Sequence, residues 1–188
     1  MSFVAEILAN LGWRWIDGAI DDSKLLYTEG FSEGIEANMA EAVWHIEDRV
    51  LAAGMADLWD LTHLTRQLFG DIHETTFARI KGILIVNQNT NDVSLMVGGA
   101  PYDQWWEPFG REDDTVEVPS DSPLLLANRG VGWAVEGYDE GSSSSSGESG
   151  ANRMLQIEAG AGGAVTYSLA IIGTITASSS SSSSSSGE

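Results

Sequence analysis

The stretch that decides the fold is residues 76–88, TFARIKGILIVNQ, together with its counterpart at residues 164–174, AVTYSLAIIGT. Both are short, rich in β-branched and aromatic residues and bounded by turn formers, which favours strand over helix. In residues 80–86 and 165–172, bulky apolar side chains fall on both faces of the alternation. A central strand covered on both sides has that pattern. An extra covering surface is therefore expected, from a neighbouring subunit or from an appended arm.

Outward from these two runs, the chain from Lys24 onward keeps the same texture. KLLYTEG (24–30), AVWHIEDRVLAAG (42–54), DLWDLT (57–62), DVSLMVGG (92–99), TVEVPS (115–120), PLLLANRG (123–130), GWAVEGY (132–138) and RMLQIEAG (153–160) each read as strands. Turn signals such as NQNTND and AGAGG separate several of them. THLTRQLFG (62–70) is the one helical candidate in this region. About nine or ten short strands without alternating long helices predict an all-β fold, an antiparallel β-sandwich or jelly-roll-like domain.

At the N-terminus, Phe3, Val4, Ile7, Leu8, Leu11 and Trp15 recur at spacings of three and four. That spacing predicts a short helix or docking arm with one apolar face, which Ser2 could cap. Gly12 and DGAIDD (17–22) end the pattern. The expected organisation is an arm over residues 1–23, the β-domain over 24–174 and a serine-rich tail over 175–188. A second serine-rich stretch, at 141–150, forms a loop within the domain. Serine runs carry no apolar area to offset the entropy of ordering, so both are expected to be solvated.

Composition narrows the function. Across 188 residues, 28 acids against 9 Lys plus Arg give a formal net charge of −19 and a pI near 4.2. Such a field repels phosphate backbones and anionic membranes, so neither nucleic acid nor membrane is an expected partner. With no cysteine, disulfides, thiolate metal sites and cysteine nucleophiles drop out. Residues 1–18 lack a charged and then long apolar signal-peptide pattern, and no apolar run has the length of a membrane helix. The chain is expected to be soluble.

Catalytic motifs are absent from the sequence. His45, His63 and His73 lie on three different segments without metal-ligand spacing, and no nucleophile elbow, phosphate loop or dinucleotide fingerprint occurs. REDDT (111–115) and NQNTND (87–92) lack the calcium-loop spacing. No enzyme activity, metal or cofactor is expected. A hydrolase using an unrecognised carboxylate pair is the weakest of three readings.

PYDQWWEPFG (101–110) sets Tyr102, Trp105, Trp106 and Phe109 among Asp103, Gln104 and Glu107. Aromatic rings amid polar groups can anchor a protein interface, stack on sugars or plug the end of a sandwich. The interface candidates are thus Phe3, Ile7, Leu8, Leu11 and Trp15 on the arm, and Tyr102, Trp105, Trp106 and Phe109 on the loop.

The order of VWHIEDRVLAAGMADLWDL (43–61), FARIKGILIVNQNTNDVSLMVGGAP (77–101), LLLANRGVGWAVEG (124–137) and RMLQIEAGAGGAVTYSLAIIG (153–173) resembles a group of small virion structural proteins of tailed bacteriophages and prophages. The shared positions are packing and turn residues. SEGIEAN (32–38) replaces a usual glycine-rich turn, Trp133 replaces a usual tyrosine, and the serines at 142–146 are an insertion. The resemblance implies a non-enzymatic β-sandwich subunit, a head decoration or accessory protein, in the virion and in the host cytoplasm before assembly. Its partners would be copies of itself, a trimer being one option, and capsid or other virion proteins. The alternative is a carbohydrate-binding β-sandwich module that uses the Trp-rich loop.

Overall fold

The computed structural model describes residues 4–16, 20–68, 70–90, 92–135 and 152–175. Among the described residues every regular element is a strand and none is a helix. Along the chain these are β1 (Val4–Ile16), β2 (Ile20–Glu33), β3 (Met39–Ala40), β4 (Ala42–Leu51), β5 (Ala56–Asp60), β6 (Leu64–Leu68) and β7 (Asp71–Thr75). There follow β8 (Phe77–Asn87), β9 (Leu95–Gly98), β10 (Thr115–Val118), β11 (Ser122–Ala127), β12 (Trp133–Ala134), β13 (Met154–Ala159) and β14 (Val165–Ile175).

The decisive stretches are the two inner strands of the largest sheet, which runs β11-β8-β14-β4 with β12 also pairing β8. A second sheet runs β10-β9-β13-β5, and β6 and β7 form a hairpin of their own. Both large sheets are antiparallel. Alternate residues of each sheet enter one common apolar cluster. Ile83, Ile85, Tyr167, Leu169 and Ile171 come from β8 and β14, and Leu95, Val97, Leu155 and Ile157 from β9 and β13. Each such fully buried aliphatic side chain contributes about 1.5–3 kcal/mol.

Both faces of the inner strands are covered only at one end. In β14 burial alternates through Ile171 and then becomes continuous over Ile172, Gly173 and Thr174. In β8 it is continuous from Ile80 to Ile83, while Leu84 is 39% exposed. The cover over this end is a second small cluster of Phe31, Ala40 and Ile172 with Ala5 and Ile7. It comes from the N-terminal segment of the same chain.

That segment is not the predicted helix. β1 pairs antiparallel with β2 in an unbroken register from Val4↔Ser32 to Ile16↔Ile20. Of the apolar residues at helical spacing, Phe3, Ile7, Leu11 and Trp15 also fit a period of two, sharing one parity with Ala5, Ala9 and Trp13, while Val4 and Leu8 do not. A lone helix this short is marginal in water. Two paired strands instead satisfy each other's backbone groups. The Asp17-Gly18 in the sequence between them is a hairpin signal.

The second helical candidate also forms strand. Leu64–Leu68 pairs with Asp71–Thr75, Leu64 is buried in the main cluster, and the Trp44 Nε1–H donates to the Thr65 carbonyl at 3.2 Å. The serine runs at 142–146 and 178–186 and Phe3 lie outside the described residues.

Candidate interaction surfaces

The Trp-rich segment connects β9 to β10, and its rings divide between interior and surface. Trp105 has no exposed area. Its Nε1–H donates to the Ala134 carbonyl at 2.8 Å, and it meets Phe109 and Trp133 edge-on, both at 6.2 Å. Glu107 Oε2 accepts from the Ala134 N–H at 2.6 Å, and Asn152 Oδ1 from the Trp106 N–H at 3.1 Å. Arg153 lies 3.2 Å from Asp103 and 3.6 Å from Asp60. The segment is therefore bolted into the domain, and Trp105 is a core anchor that neither a sugar nor a partner can reach. Tyr102, 56% exposed, and the half-buried Trp106 line a shallow pocket edged by Asp103, Glu112 and Asp113.

A polar clamp joins the two large sheets. The Arg49 guanidinium donates to both Asp57 oxygens at 2.8 and 2.9 Å. The buried Tyr167 hydroxyl donates to Asp57 Oδ2 at 2.7 Å and accepts from Trp59 Nε1–H at 3.0 Å. The bonds from Arg49, more than that from Tyr167, hold the Asp57 carboxyl below its usual range despite partial burial. Burial first, then the Asp57 bond, pushes the Tyr167 hydroxyl above its usual range. The carboxylate and the hydroxyl hold each other, so the clamp's geometry is that of a cross-link between β4, β5 and β14.

Lys81 is fully buried on β8. Its ammonium donates to the carbonyls of Glu36, at 3.2 Å, and Gly130, which fastens two connecting loops. Burial is the main cause of its lowered pKa, with Arg79 adding to it. His45 lies 3.4 Å from Glu47 and His63 2.7 Å from Glu74. Among the described residues no group of three or more His, Asp or Glu side chains is placed to hold a metal ion.

The remaining surface is the outer face of β8 and β14. Ile7 rests in a space left by Gly82: a Cβ there would lie 2.7 Å from Ile7 Cδ1 and 2.9 Å from Ile172 Cγ2. Beside this contact runs an apolar groove of about 200 Å³ between Ile7 and Leu8 on one side and Val43, Leu84, Leu125 and Ala170 on the other. Farther along, His45, Glu47, Asp48, Gln88 and Ser168 make the face polar.

The structure thus sets Ile7 against the body and leaves Leu8 61% exposed. Leu11 and Trp15 take positions in β1 opposite Leu25 and Asp21. Sequence reasoning missed Gly82 and Ile172 as the seat of the arm. The only signal was a glycine inside an otherwise bulky strand, which marks close approach of another segment. No family model, curated protein or solved structure matches the chain.

Proposed function

We propose that this chain is a structural subunit of a tailed-bacteriophage virion, a capsid decoration or accessory protein that acts through protein–protein contacts and not as an enzyme. The two sheets with a shared core are a jelly-roll-like β-sandwich in this reading. The segment order across residues 43–173 resembles such subunits, and acidity without cysteine suits a component that stays soluble until it assembles. The observation that carries the proposal is the half-covered outer face of β8 and β14, where the hairpin seats Ile7 beside Ile172 and an apolar groove continues past it. A face of this kind suits contact with further copies and with a capsid lattice.

Mass spectrometry and labelling of purified particles test the proposal. Stoichiometric amounts of the chain on the particle support it. Its presence only in infected-cell lysate, never in particles, overturns it. The second reading, a carbohydrate-binding module, now rests on Tyr102 and Trp106 alone, because Trp105 is interior. Glycan binding that is lost on Tyr102→Ala and Trp106→Ala would favour that reading.

A further inference from the structure

We propose that β1 is a self-pairing edge: it adds antiparallel to β1 of a second copy, with Asn10 opposite the partner's Asn10. This rests on the subunit reading above and names the second copy as one of its partners.

Among the described residues the sheet order is β1-β2-β3, so one edge of β1 has no strand beside it. Unpaired edges invite another strand unless they are shortened, bent, or blocked by proline or charge. Among the described residues the other edges carry such devices: beyond its two-residue pairing with β3, β2 carries Asp21, Asp22, Lys24 and Glu29, and β6 and β7 have five residues each. β4 is interrupted where Asp48 takes φ 52° opposite a register shift between Tyr167 and Leu169. β11 contains Pro123, while β5 and β10 have only five and four residues. β1 has thirteen residues, with no proline, no positive φ and no break in its register.

Its sequence is complementary to itself when reversed. Centring an antiparallel pair on Asn10 overlaps all of Val4–Ile16. It sets Glu6 opposite the partner's Arg14, and Arg14 opposite the partner's Glu6, the only two charged residues of the strand. Within its own hairpin Arg14 stands opposite Asp22, whereas Glu6 stands opposite Gly30, which offers no side chain, so the partner's Arg14 across the free edge supplies Glu6 with the opposite charge. The same register keeps parity. Ile7 stands opposite the partner's Trp13, and Ala9 opposite its Leu11, so two half-sheets of apolar parity become one. The contact is two-fold and isologous, and it closes after two copies.

Because the chain has no cysteine, single substitutions in the full chain test the register directly. Residues opposite each other in an antiparallel pair have Cα atoms about 4.5–5.5 Å apart, within disulfide reach. Mild oxidation of Asn10→Cys should give a disulfide-linked dimer on a non-reducing gel. Leu8→Cys should not link to itself, since its copies stand four positions apart, about 13 Å. It should link to Gly12→Cys when the two are mixed. Independently, Glu6→Arg should weaken dimerisation about tenfold by setting like charges opposite each other twice.

Failure of Asn10→Cys to link, or equal linking by Leu8→Cys, overturns the proposal, as does a Glu6→Arg chain that dimerises undiminished. If the chain self-associates with those results, the register alone is wrong and the subunit reading stands. If the chain is also absent from particles, that reading falls with it.

Discussion

The two ends of the outer face on β8 and β14 carry the same kind of residue and meet different fates. At Ile172 and Gly82 the chain's own hairpin covers the sheet, and burial there is continuous on both sides. At Leu84 and Ala170, a few residues along the same strands, the face opens into a groove. The difference lies in what reaches the surface, since Leu84 is no less apolar than Ile172. A bulky apolar residue on an outer face announces that something covers it and does not say whether that is the same chain. By contrast, the inner face of these strands shares one buried cluster with Leu95, Val97, Leu155 and Ile157 of the other large sheet and with Leu61, Leu64 and Trp105 beside it, all from the same chain.

The comparison sharpens first at the core. Trp105→Ala removes a ring with no exposed area and its bond to the Ala134 carbonyl. It should cost about 3–5 kcal/mol in chemical denaturation. A loss below 1 kcal/mol would mean that the Trp-rich loop is a surface feature after all.

Next comes the clamp between the sheets. Asp57→Asn weakens the bond to Arg49 and should cost about 2 kcal/mol near neutral pH. The Asp57 carboxyl has a lowered pKa in the folded state, so its contribution is present above the unfolded value near 3.8 and is lost as pH falls through the folded one. Tyr167 has a raised pKa, so its contribution is present below the ordinary tyrosine range and is lost as pH rises through the folded value. Denaturation midpoints measured from pH 2 to 7 should fall steeply at the acid end for the parent chain, and less steeply for Asp57→Asn. Parallel curves would remove Asp57 from the acid limb.

Gly82→Val separates the covered end from the open one. The added carbons compete with Ile7 and Ile172 for the same space. Stability of the body should drop by only about 1–2 kcal/mol, while amide protection near Ala5 and Ile7 falls well before that of β8 and β14. Loss of both together would show that hairpin and body form one cooperative unit. The smallest effect belongs to deletion of residues 178–188. Nine serines with Gly-Glu contain almost no apolar area, so the Tm should stay within about 1 °C.

Much of the body was legible because burial imposes a period. The segments read as strands over residues 24–174 overlap strands, and AVTYSLAIIGT and FARIKGILIVNQ lie side by side in the largest sheet. What failed was the choice between periods where apolar residues are dense. Residues 3–15 satisfy spacings of two, three and four alike, and only the partner strand at Ile20–Glu33 decides among them. THLTRQLFG failed for a related reason, because its pairing with Asp71–Thr75 is a tertiary choice that local propensity does not carry. At the candidate surfaces, the aromatic cluster was visible but its division was not. Nothing in PYDQWWEPFG says that Trp105 turns inward to the Ala134 carbonyl while Tyr102 stays out.

The central claim is that this is a subunit built to associate with others through the hairpin and the outer face it half covers. Light scattering on the purified full chain, from about 1 to 100 micromolar, tests that most directly. The account predicts a defined multimer whose mass falls toward the 20.1 kDa monomer on dilution. A monodisperse monomer across the whole range would contradict it.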